Sequence, residues 1–387
     1  MFFFTAAMQI SNVAQGWLVF DIAHSSTALG IVTSMWSFTV LFCSPFGGVV
    51  ADRLDKRLLI SITWGGSAAI FAALAFLIVI DRIEVWHLAV AAALHGLLFS
   101  VNIPARFALI SQIITDVGLT KALALVALTF NLNGVLFSLL GGWLIDLAGA
   151  DGAYALVAVL YAMAAGLVGL LSFPKDETSR GGDTNMLADL TAGIKAVQTN
   201  RTMVWLMLLA LVAVVLGQTF VVLLPKLAAE TLNLSASGLG SLMAMIALGS
   251  LIGNAVLAGL KADPHLGRWM FILGIVSGAS LLALAWANTF YLALMVLFLA
   301  GVAGGPFFTI NQTLVQRLAP PQARGRILSL YMLTWGVMPV GTLLCSFLAD
   351  LVGIWLPMTL GGALLIATML LVARLQPKLL KLPEGQL

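Results

Sequence analysis

The residues able to do chemistry inside this chain are few and mostly uncharged. Gln9, Asn12 and Gln15 recur at intervals of three, so they share one slowly turning helical face. His95, Asn102, Asn131, Asn133, Gln218, Asn254 and Asn311 stand in the same way within long apolar runs. Such side chains either line a water-filled cavity or hydrogen-bond one helix to another, and the sequence leaves both open. Asn12, His95 and Asn133 lie nearest the middle of their runs, with Gln15, Asn131, Gln218 and the deep aromatic Trp335 as further candidates for a cavity wall. Imidazole titrates near physiological pH, so His95 is a candidate for exchanging a proton, against the alternative of a packed histidine bonded to a neighbouring helix. Asp21, at the end of the first run, is the second candidate for coupling; its alternative is a solvated helix end.

These groups can be positioned only by helices in lipid. Of 387 residues, 61% are hydrophobic and 9% are charged, against about 25% charged in a soluble domain. The mean hydropathy is +1.07. No water-facing core could cover this much apolar surface, which excludes a soluble enzyme. A spanning helix needs about 20 mostly apolar residues. Twelve such runs can be marked, at 1–21, 27–51, 58–80, 86–105, 122–146, 152–173, 203–225, 238–260, 268–287, 289–312, 327–350 and 354–374. The run from Met1 has no basic lead-in and no cleavage site, so it reads as a first span and not as a signal peptide. The fold class expected is an all-α membrane protein of twelve transmembrane helices in two pseudo-symmetric six-helix bundles.

Lys and Arg orient the runs. With the N-terminus in the cytoplasm, 17 of the 19 basic residues fall in inner loops or the tail, and only Arg82 and Lys226 fall outside. That bias puts both termini in the cytoplasm. Every charged residue is assigned to a loop or to within a few residues of a helix end, Arg106 being counted in the loop after the fourth run. Residues 1–173 read as an N-terminal six-helix bundle. Residues 174–202 read as a cytoplasmic linker, polar from Pro174 and then with Leu187, Leu190, Ile194 and Val197 at amphipathic helical spacing. Residues 203–387 read as a C-terminal bundle with a short cytoplasmic tail. An internal repeat supports two halves: at an offset of 204, Leu144-Ile-Asp146-Leu147-Ala-Gly149 lies over Leu348-Ala-Asp350-Leu351-Val-Gly353.

The hairpin between the second and third runs carries Gly48-Val-Val-Ala-Asp52-Arg53-Leu-Asp55-Lys56-Arg57. It resembles the helix 2–3 loop motif of the major facilitator superfamily, in which Gly, three residues and Asp-Arg precede a Gly and two basic residues. The match falls at Gly48, Asp52, Arg53, Lys56 and Arg57, with Asp55 where Gly is usual. Gln15-Gly-Trp-Leu-Val-Phe-Asp21, Pro104-Ala-Arg106 and Arg324-Gly-Arg326 with Pro339-Val-Gly341 are similar to a bacterial branch of enterobactin-exporter-like and multidrug-exporter-like members. Antiporters of the family often carry Gly-Pro-x-x-Gly-Gly in helix 5; this chain has Phe137-Ser-Leu-Leu-Gly141-Gly142.

The resemblance implies a secondary transporter in a bacterial inner (plasma) membrane, moving a small organic compound as two bundles rock about a central site. Proton-driven efflux leads; uptake, facilitated diffusion, or a flippase-like or non-transporting role are the alternatives. It implies that Asp52 braces the start of helix 11 as a gate, with Arg53 and Arg57 pairing nearby acids or lipid phosphates. Partners expected are the substrate, the bilayer and protons, with no nucleic acid, and the chain is expected to act as a monomer. No motif for a cofactor or metal is present, and Cys43 and Cys345 lie in apolar runs as packing residues.

Overall fold

A computed structural model describes residues 1–113, 116–170, 194–195, 197–259, 265–320 and 323–380. Some helical residues, among them Gly48, Asp52 and Arg53, are described by backbone alone. Most of the expected linker helix, Leu187 and Leu190 included, lies outside the described residues.

The described secondary structure is helical throughout. In order come α1 (Phe2–Ala23), α2 (Ser26–Arg53), α3 (Lys56–Val79) and α4 (Val85–Ile113). One helical stretch, Asp116–Leu170, follows; Gly149 interrupts it at φ 75°, ψ 174°, dividing it into α5 (116–148) and α6 (150–170). Then come α7 (Arg201–Gly217), α8 (Ala236–Gly259), α9 (Leu266–Ala285), α10 (Phe290–Leu318), α11 in two pieces (Arg324–Gly336 and Met338–Val352) and α12 (Trp355–Leu375). Ten stretches are long and apolar enough to cross a membrane. One of them spans 43 residues across Gly149 and so holds two spans, and the 22-residue α1 completes twelve.

Polar residues begin the helices where the sequence breaks. The Ser25 hydroxyl accepts from Ala28 N (3.2 Å), and Asn200 Oδ1 accepts from Thr202 N and Met203 N (3.0 and 3.3 Å). Asp55 explains its own departure from the family motif: its carboxylate accepts from Leu58 N at 3.0 Å and caps α3. Such caps contribute about 1 kcal/mol each.

Two compact units divide the chain. The first holds Met1–Asp183 and Ala228–Ala244; the second holds Thr184–Leu227 and Met245–Leu387. Within the first, α1 packs on α5, α2 on α4 and α3 on α6. Within the second, α7 packs on α11, α8 on α10 and α9 on α12. The two sets correspond helix for helix after a shift of six, which is the pseudo-symmetry the internal repeat predicts.

The contacts correspond in chemistry too. Without a hydrophobic force between helices in lipid, small residues let backbones approach and amides bond across. A Cβ on Gly47 of α2 would lie 2.3 Å from Ser100 O of α4, and one on Gly249 of α8 would lie 2.1 Å from Phe298 O of α10. Amides bridge helices in each unit, at pairs that the shift of six does not match: Asn133 of α5 donates to Phe2 O of α1 (2.9 Å), and Asn311 of α10 donates to Leu206 O of α7 (3.1 Å).

Two boundaries differ from expectation. The fourth helix continues to Ile113, through Pro104, so Arg106 sits inside it and not in a loop. Its guanidinium lies 4.8 Å from the centroid of the Phe4 ring, a cation–π contact that lets a charge leave water. The seventh run is also not one helix. After Gly217 the chain takes a 3-10 turn (Thr219–Leu223), a short α-turn carrying Pro225, and a π-turn (Leu227–Thr231). Gly and Pro are the residues that permit such a break.

Candidate functional site

In the first unit, polar side chains meet inside an aromatic lining. His95 of α4 lies with Nε2 3.1 Å from the Tyr161 hydroxyl of α6. Phe71 of α3 packs edge-on against the imidazole at 5.1 Å and stacks on Tyr161 at 5.4 Å. Two turns further along α4, Asn102 Nδ2 donates to Thr63 Oγ1 of α3 at 2.8 Å. Phe4, Trp64, Ser67, His95, Phe99 and Asn102 close around a narrow gap with no room for a water molecule. Asn102 Oδ1 and Trp64 Nε1 are buried there without a hydrogen-bond partner, an acceptor and a donor left for another group. Leaving such atoms unpaired costs about 1–3 kcal/mol each.

The second unit places its polar groups at broken helices. Gln218 stands where α7 gives way to the 3-10 turn, and Trp335 stands two residues before the break in α11 at Val337. Gln218, Ser277, Gly304, Phe307, Phe308 and Met369 line a narrow cleft with room for about one water molecule. Trp335 is 38% exposed and packs on Phe308 at 4.9 Å. Discontinuous helices in transporters commonly line the substrate site, because irregular backbone in a membrane is tolerated only where protein or a cavity satisfies it. Both spaces are far smaller than the roughly 300–1,000 Å³ of a ligand pocket, so in this conformation neither encloses a drug-sized molecule.

The other residues singled out from sequence fall as follows. Asn12 is exposed on α1, with only a 3.5 Å contact to Gln9, and Gln15 is half-buried on the same helix. Asn131 is half-buried. Asn133 is fully buried, and its amide nitrogen donates to Phe2 O and the Thr5 hydroxyl, which ties α5 to α1. Asp21 is exposed in the last turn of α1. In the hairpin motif, Gly48, Asp52 and Arg53 occupy the end of α2, and their side chains lie outside the described residues. Lys56 opens α3. Arg57 differs from the resemblance's expectation of acids or lipid phosphates: it donates to the carbonyls of Val168 and Gly169 at the end of α6.

Trp64 and Tyr161 are the cluster members that sequence reasoning passed over, and Arg106, which packs on Phe4 beside them, was assigned to a loop. Arg106 carried a signal, since its position follows Pro104 with no polar neighbour before Ser111. Among the described residues, no group of three His, Cys, Asp or Glu side chains is placed to hold a metal ion.

Comparison with known proteins accounts for this arrangement. The sequence model of the Major Facilitator Superfamily matches residues 1–340, and the chain belongs to that superfamily. It is therefore a multi-pass membrane transporter and not an enzyme. It is 24% identical over 346 residues to the staphyloferrin A transporter of Staphylococcus aureus, covering 89% of this chain and 86% of the relative. It is 24% identical to the enterobactin exporter EntS of Shigella flexneri (80% and 73% covered) and to the multidrug efflux pump Tap of Mycolicibacterium fortuitum (89% and 86%). These relatives match the exporter branch that the motifs resemble. The fold is shared with a bacterial homologue of the human lysosomal transporter Spinster, solved inward-facing and unoccupied. That likeness has a TM-score of 0.77 at 12% identity and covers 98% of this chain and 95% of the other. The nucleoside transporter NupG has a TM-score of 0.74 at 13% identity, with 96% of each chain covered.

Proposed function

We propose that this transporter exports a small organic compound from the cytoplasm across a bacterial inner (plasma) membrane, by alternating access and in exchange for protons. The observation that carries export is the run of relatives, each aligned over most of this chain, whose names describe an enterobactin exporter and a multidrug efflux pump. A compound with aromatic and hydrogen-bonding groups suits the cluster around Trp64, His95, Phe99 and Asn102 and the cleft at Gln218, Phe308 and Trp335. With no Asp or Glu near the middle of an apolar run of the sequence, His95, paired with Tyr161, is the proton-exchanging group, with Asp21 as a second.

The basic-residue bias supports a cytoplasmic N-terminus and C-terminus. Residues 1–173 and 203–387 act as the two moving bundles, joined by the 174–202 linker, in a monomer. Gly48, Asp52, Arg53, Lys56 and Arg57 form the cytoplasmic gate of those bundles.

Proteoliposomes loaded with enterobactin or staphyloferrin A, and separately with aromatic dyes, test the reading. Movement dependent on an imposed pH gradient is expected for at least one class, with protons moving oppositely. Transport indifferent to the gradient would remove the coupling, and net accumulation in the uptake direction would reverse the assignment. Asp52→Asn is expected to slow transport at near-normal expression; unchanged turnover would remove the gate.

A further inference from the structure

Asp146 lies near the end of α5, and its carboxylate is fully engaged by the start of α8. It accepts from the Ser235 hydroxyl at 2.7 Å, from Ala236 N at 3.0 Å and from Ser237 N at 3.1 Å. A carboxylate at a helix C-terminus is badly placed with respect to its own helix, whose last carbonyls already carry partial negative charge. At the N-terminus of another helix the same group is well placed, because the first N–H groups there have no partner within the helix. Asp146 therefore makes electrostatic sense only while the start of α8 is docked against the end of α5.

The docking surface beneath it consists of small residues. A Cβ on Gly142 would lie 2.4 Å from Ala236 O, and one on Gly240 would lie 2.4 Å from Ser138 O. The two backbones touch at these glycines, and the polar contact at the rim adds hydrogen bonds that must be given up when they part. The segment concerned, Ala228–Ala244, is grouped in the first unit although the chain on both sides of it, Thr184–Leu227 and Met245–Leu387, is grouped in the second.

The repeat supplies a comparison inside the same molecule. Asp350 is the counterpart of Asp146, each three residues before a glycine of positive φ, Gly353 and Gly149. Asp350 is bound by Lys226 at 3.0 Å, and that ammonium also donates to Ala349 O at 3.2 Å. All of these residues lie in the second unit. Asp350 thus braces its own unit, whereas Asp146 grips a segment that the chain carries away on both sides.

We propose that Asp146 is the latch of the outer gate: its hydrogen bonds to Ser235, Ala236 and Ser237 hold α8 closed on α5, and they must break for the transporter to open outward. The latch rests on the alternating-access reading and its topology, but not on the identity of the substrate or on proton coupling.

The test follows solvent access to a buried position on the docked segment. Leu239 is fully buried, and Leu239→Cys, in a background with Cys43→Ser and Cys345→Ser, is labelled with a membrane-impermeant maleimide in sealed vesicles of each orientation. Adding Asp146→Ala is expected to accelerate labelling severalfold and to reduce transport rate more than substrate affinity. Asp146→Asn keeps one acceptor and is expected to fall between. Asp350→Asn, which removes the counterpart ion pair, is the control for general loosening and is expected to leave Leu239→Cys labelling unchanged. An Asp146→Ala protein that is folded and monodisperse yet labels at the parental rate overturns the latch, as does equal acceleration by Asp350→Asn. Acceleration confined to the cytoplasmic side would support a latch but place it at the opposite gate, overturning the topology alone.

Discussion

Arg57 Nε donates to Val168 O at 3.2 Å, joining the hairpin after α2 to the last turn of α6. The final carbonyls of a helix have no partner within it, and a guanidinium satisfies two at once while meeting the negative end of the helix dipole. The basic residue that closes the family motif thus has a structural task inside its own unit, beside any part in gating.

Replacing Arg57 by Gln is expected to cost about 1–2 kcal/mol, a hydrogen bond to a charged group being discounted here for partial exposure. Thermal unfolding in detergent should show a lower midpoint for Arg57→Gln and partial retention for Arg57→Lys, whose single ammonium can reach one carbonyl. An unchanged midpoint with lost transport would assign the residue to gating alone.

Gly149 and Gly353 adopt φ 75° and 88° with ψ 174° and 164°, a region essentially restricted to glycine. Gly149→Ala and Gly353→Ala are each expected to destabilise by roughly 1–3 kcal/mol, and by similar amounts, since they break the same joint in the two repeats. Expression and thermal midpoint measured side by side check the symmetry of the effect.

His95 and Tyr161 bond to each other, so single substitutions separate packing from coupling. Tyr161→Phe removes only the hydroxyl and is expected to cost about 1 kcal/mol. His95→Gln is expected to abolish gradient-driven transport while substrate exchange without a gradient continues. Equal loss of both activities would make His95 a packing residue.

Gln218 and Trp335 lie beside helix breaks, where substitution disturbs little regular backbone. Gln218→Ala and Trp335→Ala are expected to raise the KM for transport with folding nearly intact, Trp335→Ala also removing the ring that packs on Phe308. A normal KM in both variants would move the substrate contact elsewhere.

Much of the architecture was legible in the order of residues. The number of spans follows from runs of apolar residues, because lipid requires each crossing segment to satisfy its own backbone, and that is a local property. The repeat was visible as Asp146 to Gly149 over Asp350 to Gly353, and the structure returns it as matched positive-φ joints. What the local pattern did not contain is which way each polar side chain turns. Asn133 and Asn102 stand in similar apolar surroundings, yet one amide nitrogen reaches α1 at Phe2 O and the other reaches α3 at Thr63 Oγ1. Arg106 read as a loop residue and proved to be helical, held by the face of Phe4 a hundred positions away. Asp146 read as a helix-end acid, and only the approach of Ser235 to Ser237 shows what it holds. Span number depends on composition along the chain; hydrogen-bond partners between helices depend on rotation and pairing, which only the packed tertiary structure decides.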